Sequence, residues 1–148
     1  SVKVVLNPAP AQTLSDELLK NIDVLVPNES ETSLLTGLSV STIEEAEIAA
    51  RKLLKKGPGS VVLTLGSRGA LLVKPDEPAK ALSPYPVDVV DTTAAGDAFV
   101  AALSAGISDN LLIENAVQQA NAAGALAVTK MGAQPCMPTV EEVKQLTK

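Results

Sequence analysis

The run from Val87 to Phe99 constrains the fold more than any other stretch of this chain. Val87-Asp88-Val89-Val90 is β-branched and apolar at three of its four positions. Asp91-Thr92-Thr93 follows, and Ala94-Ala95-Gly96-Asp97 then opens a long alanine-rich segment that reads as a helix. A strand delivered through small residues into a helix is a building unit of α/β folds. It also presents backbone N–H groups with no bulky side chain in front of them. Unpaired N–H groups and the helix dipole together favour an anion at that point. An aspartate beside an anion site suggests phosphoryl transfer. The backbone of Ala94, Ala95 and Gly96 would form the anion hole, and Asp97 would act as catalytic base toward an attacking hydroxyl. Taken alone, a Gly-Asp pair at a helix start is more simply a charged helix N-terminus.

The rest of the chain keeps the same alternation. Strands are expected at 2–6, 24–26, 60–65, 70–73, 87–91 and briefly near 79–82. Helices are expected at 14–21, 30–36, 42–56, 95–107, 110–130 and 139–147. Thr42-Ile43-Glu44-Glu45 has the form of a capping box, and Gly57-Pro58-Gly59 ends the helix it starts. This predicts one α/β domain, a mostly parallel sheet flanked by helices, with inner strands buried on both faces. A sheet that opens on the first strand would present a hydrophobic edge unless something covered it.

Composition removes several classes of function. Histidine is absent, so histidine bases, Ser-His-Asp triads and histidine metal sites are excluded. The single cysteine, Cys136, allows no internal disulfide and points to a reducing compartment. A net charge of −5 with one Tyr, one Phe and no Trp argues against a nucleic-acid surface. No apolar run approaches a membrane span, and the first residues read as a strand rather than a signal peptide. The expectation is a cytoplasmic protein that handles a small molecule, without nucleic-acid or membrane partners.

Two further clusters follow strand ends, where ligands sit in open α/β sheets. Asn28 and Glu31 lie three residues apart at a helix start and could orient a hydrated Mg²⁺ near phosphates; a plain helix cap is the simpler reading. Thr64-Leu65-Gly66-Ser67-Arg68-Gly69 combines glycines and small hydroxyls that admit a nucleotide, or makes a tight hairpin. No Gly-x4-Gly-Lys-Ser/Thr loop and no Gly-x-Gly-x-x-Gly fingerprint occurs.

In their order, Asn-Pro-Ala-Pro-Ala at the start, Asn28-x-x-Glu31, Thr64 to Gly69, Asp91 to Asp97 and Gly132-Ala133-Gln134-Pro135 resemble the C-terminal half of the ribokinase/phosphofructokinase-B family of sugar kinases. The Ala-Ala-Gly-Asp form resembles the ribokinase branch most. The resemblance implies a ribokinase-like fold and ATP-dependent phosphorylation of a sugar primary hydroxyl, D-ribose to D-ribose 5-phosphate. It implies Asp97 as base, Ala94, Ala95 and Gly96 as anion hole, and Asn28 with Glu31 acting on Mg²⁺ and phosphate. It also implies that Thr64, Leu65, Gly66, Ser67, Arg68 and Gly69 touch the nucleotide and that Asn121 lies beside the adenine. An activating K⁺ is implied at Asp91, Thr93, Ala127, Lys130, Gly132 and Cys136, largely through carbonyls. Cys136 departs from the serine usual in the family, and a thiol is a poor ligand for a hard cation.

Family members are much longer, and their N-terminal half carries a Gly-Gly-Lys-Gly-x-Asn sugar motif and a β-sheet lid that this sequence lacks. The resemblance therefore covers the ATP side of the active site and little of the sugar side. The chain alone is expected to turn over little or not at all. Alternatives are a non-catalytic nucleotide- or anion-binding module, or an assembly half that pairs with a second copy or with a complementing N-terminal half.

Overall fold

The computed structural model describes residues 2–148. The chain divides into two compact units. The first holds the chain up to Gly66 together with Ala70–Ala81, and the second holds Ser67–Gly69 and Leu82–Lys148.

The first unit begins with β1 (Val5–Leu6), α1 (Asp16–Leu19) and β2 (Val24–Leu25), followed by α2 (Glu29–Thr36) and α3 (Ile43–Leu54). Then come β3 (Ser60–Thr64), β4 (Ala70–Val73) and β5 (Lys80–Leu82), the last residue of which is counted in the second unit. The strands form one sheet in the order β1-β2-β3-β4-β5. β1 and β2 pair in parallel, as do β2 and β3, whereas β3 and β4 are antiparallel with Val61 opposite Val73 and Thr64 opposite Ala70. The sheet is thus mixed: parallel through its first three strands, then turned back by a hairpin. Val61, Leu63, Leu71 and Val73 share a core with Leu25, Ala46, Ala49, Ala50 and Leu53 of neighbouring elements. Val62 and Leu72, paired on the opposite face, are equally buried. Continuous apolar runs in β3 and β4 are the mark of strands covered on both sides.

Local signals set the helix ends. Thr42 and Glu45 form a capping box at α3. Gly37 closes α2 in the left-handed conformation (φ 70°), and the Lys52 ammonium donates to the Thr36 carbonyl at the same end (2.7 Å). The first strand is shorter than expected: of the run 2–6 only Val5–Leu6 pairs, and Ser1 lies outside the described residues.

The second unit carries α4 (Ala95–Ser108), α5 (Ile113–Ala127) and α6 (Val140–Leu146), with α5 packed against both others. Its core is Ala94, Ala98, Ala122, Ala123 and Ala127 with Cys136 and Val143. Small side chains let the helices approach closely. A Cβ added to Gly106 of α4 would stand 2.9 Å from the Ala116 Cβ of α5. The sequence reading placed the start of α5 at 110, but Asn110 is left-handed (φ 59°) and ends the turn after α4, so the helix begins at Ile113. The predicted strand at 87–91 does not form. Val89 and Val90 are 63% and 54% exposed, and the N–H groups of Val90 and Asp91 both donate to the Val128 carbonyl at the end of α5. A β-branched run favours extended backbone but does not choose its partner; here a helix C-terminus takes the bonds a neighbouring strand would have taken. Among the described residues, no helix is long and apolar enough to cross a membrane.

Candidate active site

In the second unit, α4 starts without a side-chain cap, Ala94 occupying the cap position. The first-turn N–H groups at Gly96 and Asp97 therefore have no carbonyl one turn behind them within the helix. Gly96 has ordinary helical backbone, and a Cβ there would meet no atom within 4 Å. Nothing in the chain demands glycine at this position, although glycine costs a helix about 0.5–1 kcal/mol relative to alanine. Asp97 is exposed on the same turn, while Ala94 is buried beneath it.

The approach to this turn is held by Asp91. One carboxylate oxygen, Oδ1, accepts from the backbone N–H of Thr93 (2.9 Å) and from its hydroxyl. The other, Oδ2, accepts from the N–H of Gly132 (3.0 Å). The Thr93 hydroxyl, then the Gly132 N–H, then the Thr93 N–H hold the Asp91 carboxyl below its ordinary value. The structure thus joins Asp91, Thr93 and Gly132 of the expected cation set. Ala127 and Lys130 stand at the end of α5, where the Ala127 carbonyl accepts from the Lys130 N–H (3.5 Å). Cys136 is buried in a short 3-10 turn, and its thiol donates to the Ala133 carbonyl (2.7 Å). The family resemblance grouped Asp91 with Gly132, but no local spacing signals the side-chain bridge between them.

In the first unit, Asn28 and Glu31 bond each other. The Asn28 N–H donates to Glu31 Oε2, and the Glu31 N–H donates to Asn28 Oδ1, both at 2.8 Å. This capping box starts α2, and Glu31 is buried within it. Asn28 also lies opposite Thr64 in an isolated parallel bridge, with the Thr64 N–H donating to the Pro27 carbonyl (2.9 Å). The pair therefore sits beside the end of β3, where the Thr64–Gly69 turn begins. Among the described residues no three His, Cys, Asp or Glu side chains cluster to hold a metal.

That turn leaves β3 at Thr64, buries Leu65, makes a 3-10 turn over Gly66–Arg68 and enters β4 after Gly69. Gly66 and Gly69 both have positive φ (55° and 88°). Asn121 of α5 is buried, and its amide nitrogen donates to the Leu82 and Ser83 carbonyls, both at 3.1 Å.

The chain matches the pfkB family of carbohydrate kinases over residues 1–140 and belongs to that family. It is 42% identical to the ribokinase of Haemophilus influenzae over 95% of its own length and 46% of that protein's. Its fold follows that of Arabidopsis thaliana ribokinase solved with ribose and ATP, with a TM-score of 0.94 at 38% identity. That match covers 99% of this chain and 48% of the plant chain. An E. coli protein described as ribokinase II, solved with ATP and Mg²⁺, matches with a TM-score of 0.76 at 32% identity, covering 89% of this chain and 41% of its own. The chain spans about half the length of the relatives it matches.

Proposed function

We propose that this chain carries the ATP-handling half of a kinase that phosphorylates the primary hydroxyl of a pentose, D-ribose to D-ribose 5-phosphate. The observation that carries the reading is the α4 start: an uncapped turn, a glycine facing open space and an exposed Asp97 beside it. In this reading Asp97 takes the hydroxyl proton as the oxygen attacks the γ-phosphorus. The bond to the bridging oxygen breaks and ADP leaves. The N–H groups of the Ala94–Asp97 turn hold the charge of the transferring group, which fits chemistry that needs positioning and neutralisation more than covalent catalysis.

Asn28, Thr64, Leu65, Gly66, Ser67, Arg68 and Gly69 are the proposed direct nucleotide contacts; Asn121 is proposed for the same site without a direct bond to the base, its amide nitrogen donating to the Leu82 and Ser83 carbonyls. Glu31 Oε2 is already committed to the helix cap, so Mg²⁺ would be steered by Asn28 and Glu31 through water and phosphate oxygens, neutralising phosphate charge. A K⁺ beside the anion hole would rest on backbone carbonyls around Asp91, Thr93, Ala127, Lys130, Gly132 and Cys136, and would reinforce the local positive field. The Cys136 sulfur is turned to Ala133 and fits that role poorly. The sugar side is proposed to come from a complementing N-terminal half, whether on the same or a second polypeptide. The relatives' additional length supports this over a homodimer or a stand-alone binding module.

The test is ribose-dependent ADP release with the complementing half supplied. Asp97→Asn should lower turnover by about 10²–10⁴-fold while the melting temperature holds, since Asp97 is exposed. Equal turnover by the variant would remove Asp97 from the chemistry.

A further inference from the structure

The loop read above as nucleotide-binding is not self-supporting. Ser67–Gly69 belongs to the compact unit that contains Leu82 to Lys148, not to the hairpin strands on either side of it. The reason is visible at Gly69. A Cβ added there would fall 2.2 Å from the Leu82 carbonyl oxygen, 2.9 Å from the Pro84 nitrogen and 3.1 Å from the Ser83 carbonyl carbon. The loop backbone therefore lies directly against the Leu82–Pro84 backbone, with no side chain between.

That backbone is in turn anchored to α5. Asn121, 8% exposed, donates to both the Leu82 and Ser83 carbonyls (3.1 Å each), and Gln118, one turn earlier, donates to Ser83 (3.3 Å). Two successive carbonyls fixed by one buried amide leave the segment little freedom, and buried polar groups of this kind are costly to strip of their partner.

We infer that Asn121 is a positioning residue for the nucleotide loop, holding Leu82 and Ser83 as the platform on which Gly69 rests, and is not a donor to the base. The inference rests on reading Thr64 to Gly69 as the nucleotide loop. It differs from the adenine-side role implied by family resemblance, because the amide donors are already spent inside the fold.

The experiment measures amide hydrogen exchange at Ser67–Gly69 and the affinities for ATP and GTP in this chain and in Asn121→Ala, Gln118→Ala and Gly69→Ala. Asn121→Ala should speed exchange at the loop amides about tenfold, with a smaller change for Gln118→Ala. Exchange at Gly96 and Asp97 should stay as it was, and ATP and GTP affinities should fall by the same factor. Loop exchange unchanged in Asn121→Ala would overturn the inference. So would selective loss of ATP over GTP with the loop still protected, since that is the signature of direct contact with the base. If Asn121→Ala does not fold, Gly69→Ala decides from the loop side: exchange must rise at Ser83 as well as at Arg68, and a rise at neither overturns it. A wild-type chain that binds no nucleotide would sink the functional reading, while the exchange data would still judge the platform.

Discussion

At the scale of single residues, the informative positions break a local rule. Gly96 sits in a helix with nothing near its missing side chain. Replacing it by alanine should raise stability by a few tenths to about 1 kcal/mol, because alanine favours helix. The same change should weaken ATP turnover by crowding the anion turn. Chemical denaturation and a kinase assay on one protein preparation separate the two effects, and a variant that gains stability with full activity would remove Gly96 from the site. Thr32 presents the opposite case: it is fully buried, and its hydroxyl has no hydrogen-bond partner. Thr32→Val keeps the shape and removes the stranded group, so a gain of about 1 kcal/mol is expected in urea unfolding. The local devices around the candidate site were legible in sequence, because a helix cap and a helix start are set by neighbouring residues. Asn28 with Glu31 and Ala94 to Asp97 are contiguous signals. The Asp91 bridge to Gly132 and the Asn121 grip on Leu82 were not legible, because they join residues that only tertiary folding brings together.

At the scale of elements, the α4–α5 contact depends on small residues. Gly106→Ala should gain about 1 kcal/mol in helix propensity but must fit a Cβ 2.9 Å from the Ala116 Cβ and 3.2 Å from its Cα. A backbone atom cannot step aside as a flexible side chain can. Overpacking typically costs about 1–3 kcal/mol, so a net loss is expected in thermal unfolding. Restoring room with Ala116→Gly in the same chain should recover part of it. Elements were readable where two signals agreed, as in the Thr42–Glu45 box and the glycines after α3. They were misread where one signal stood alone. The valine-rich run at 87–90 reads as a strand in sequence and does not form one, since pairing is decided by which acceptor lies alongside.

At the scale of the molecule, pH acts through carboxylates alone at the acid end. Asp23 is held below its ordinary 3.8 first by the Val4 N–H and then by Lys3. Glu45 is held below 4.5 first by the Ser41 N–H, and Glu142 first by the Thr139 N–H. Asp91 joins them through Thr93. Each is lower in the folded chain than unfolded, so its contribution is whole above its ordinary value and disappears as pH falls through the folded one. The melting temperature should therefore be level from neutral pH down to about 5 and fall below about 4.5, in both units, because each contains two of these groups. The absence of histidine removes the side chain that ordinarily titrates across the neutral range. Which of the units is melting at a given pH can be seen without adding a label. Tyr85 is the only tyrosine, there is no tryptophan, and its ring packs on the alanine core of the second unit. Intrinsic fluorescence is consequently a private optical channel to α4, α5 and α6. Circular dichroism sums over every helix, and any gap between the two melting curves would measure how far the units unfold as one.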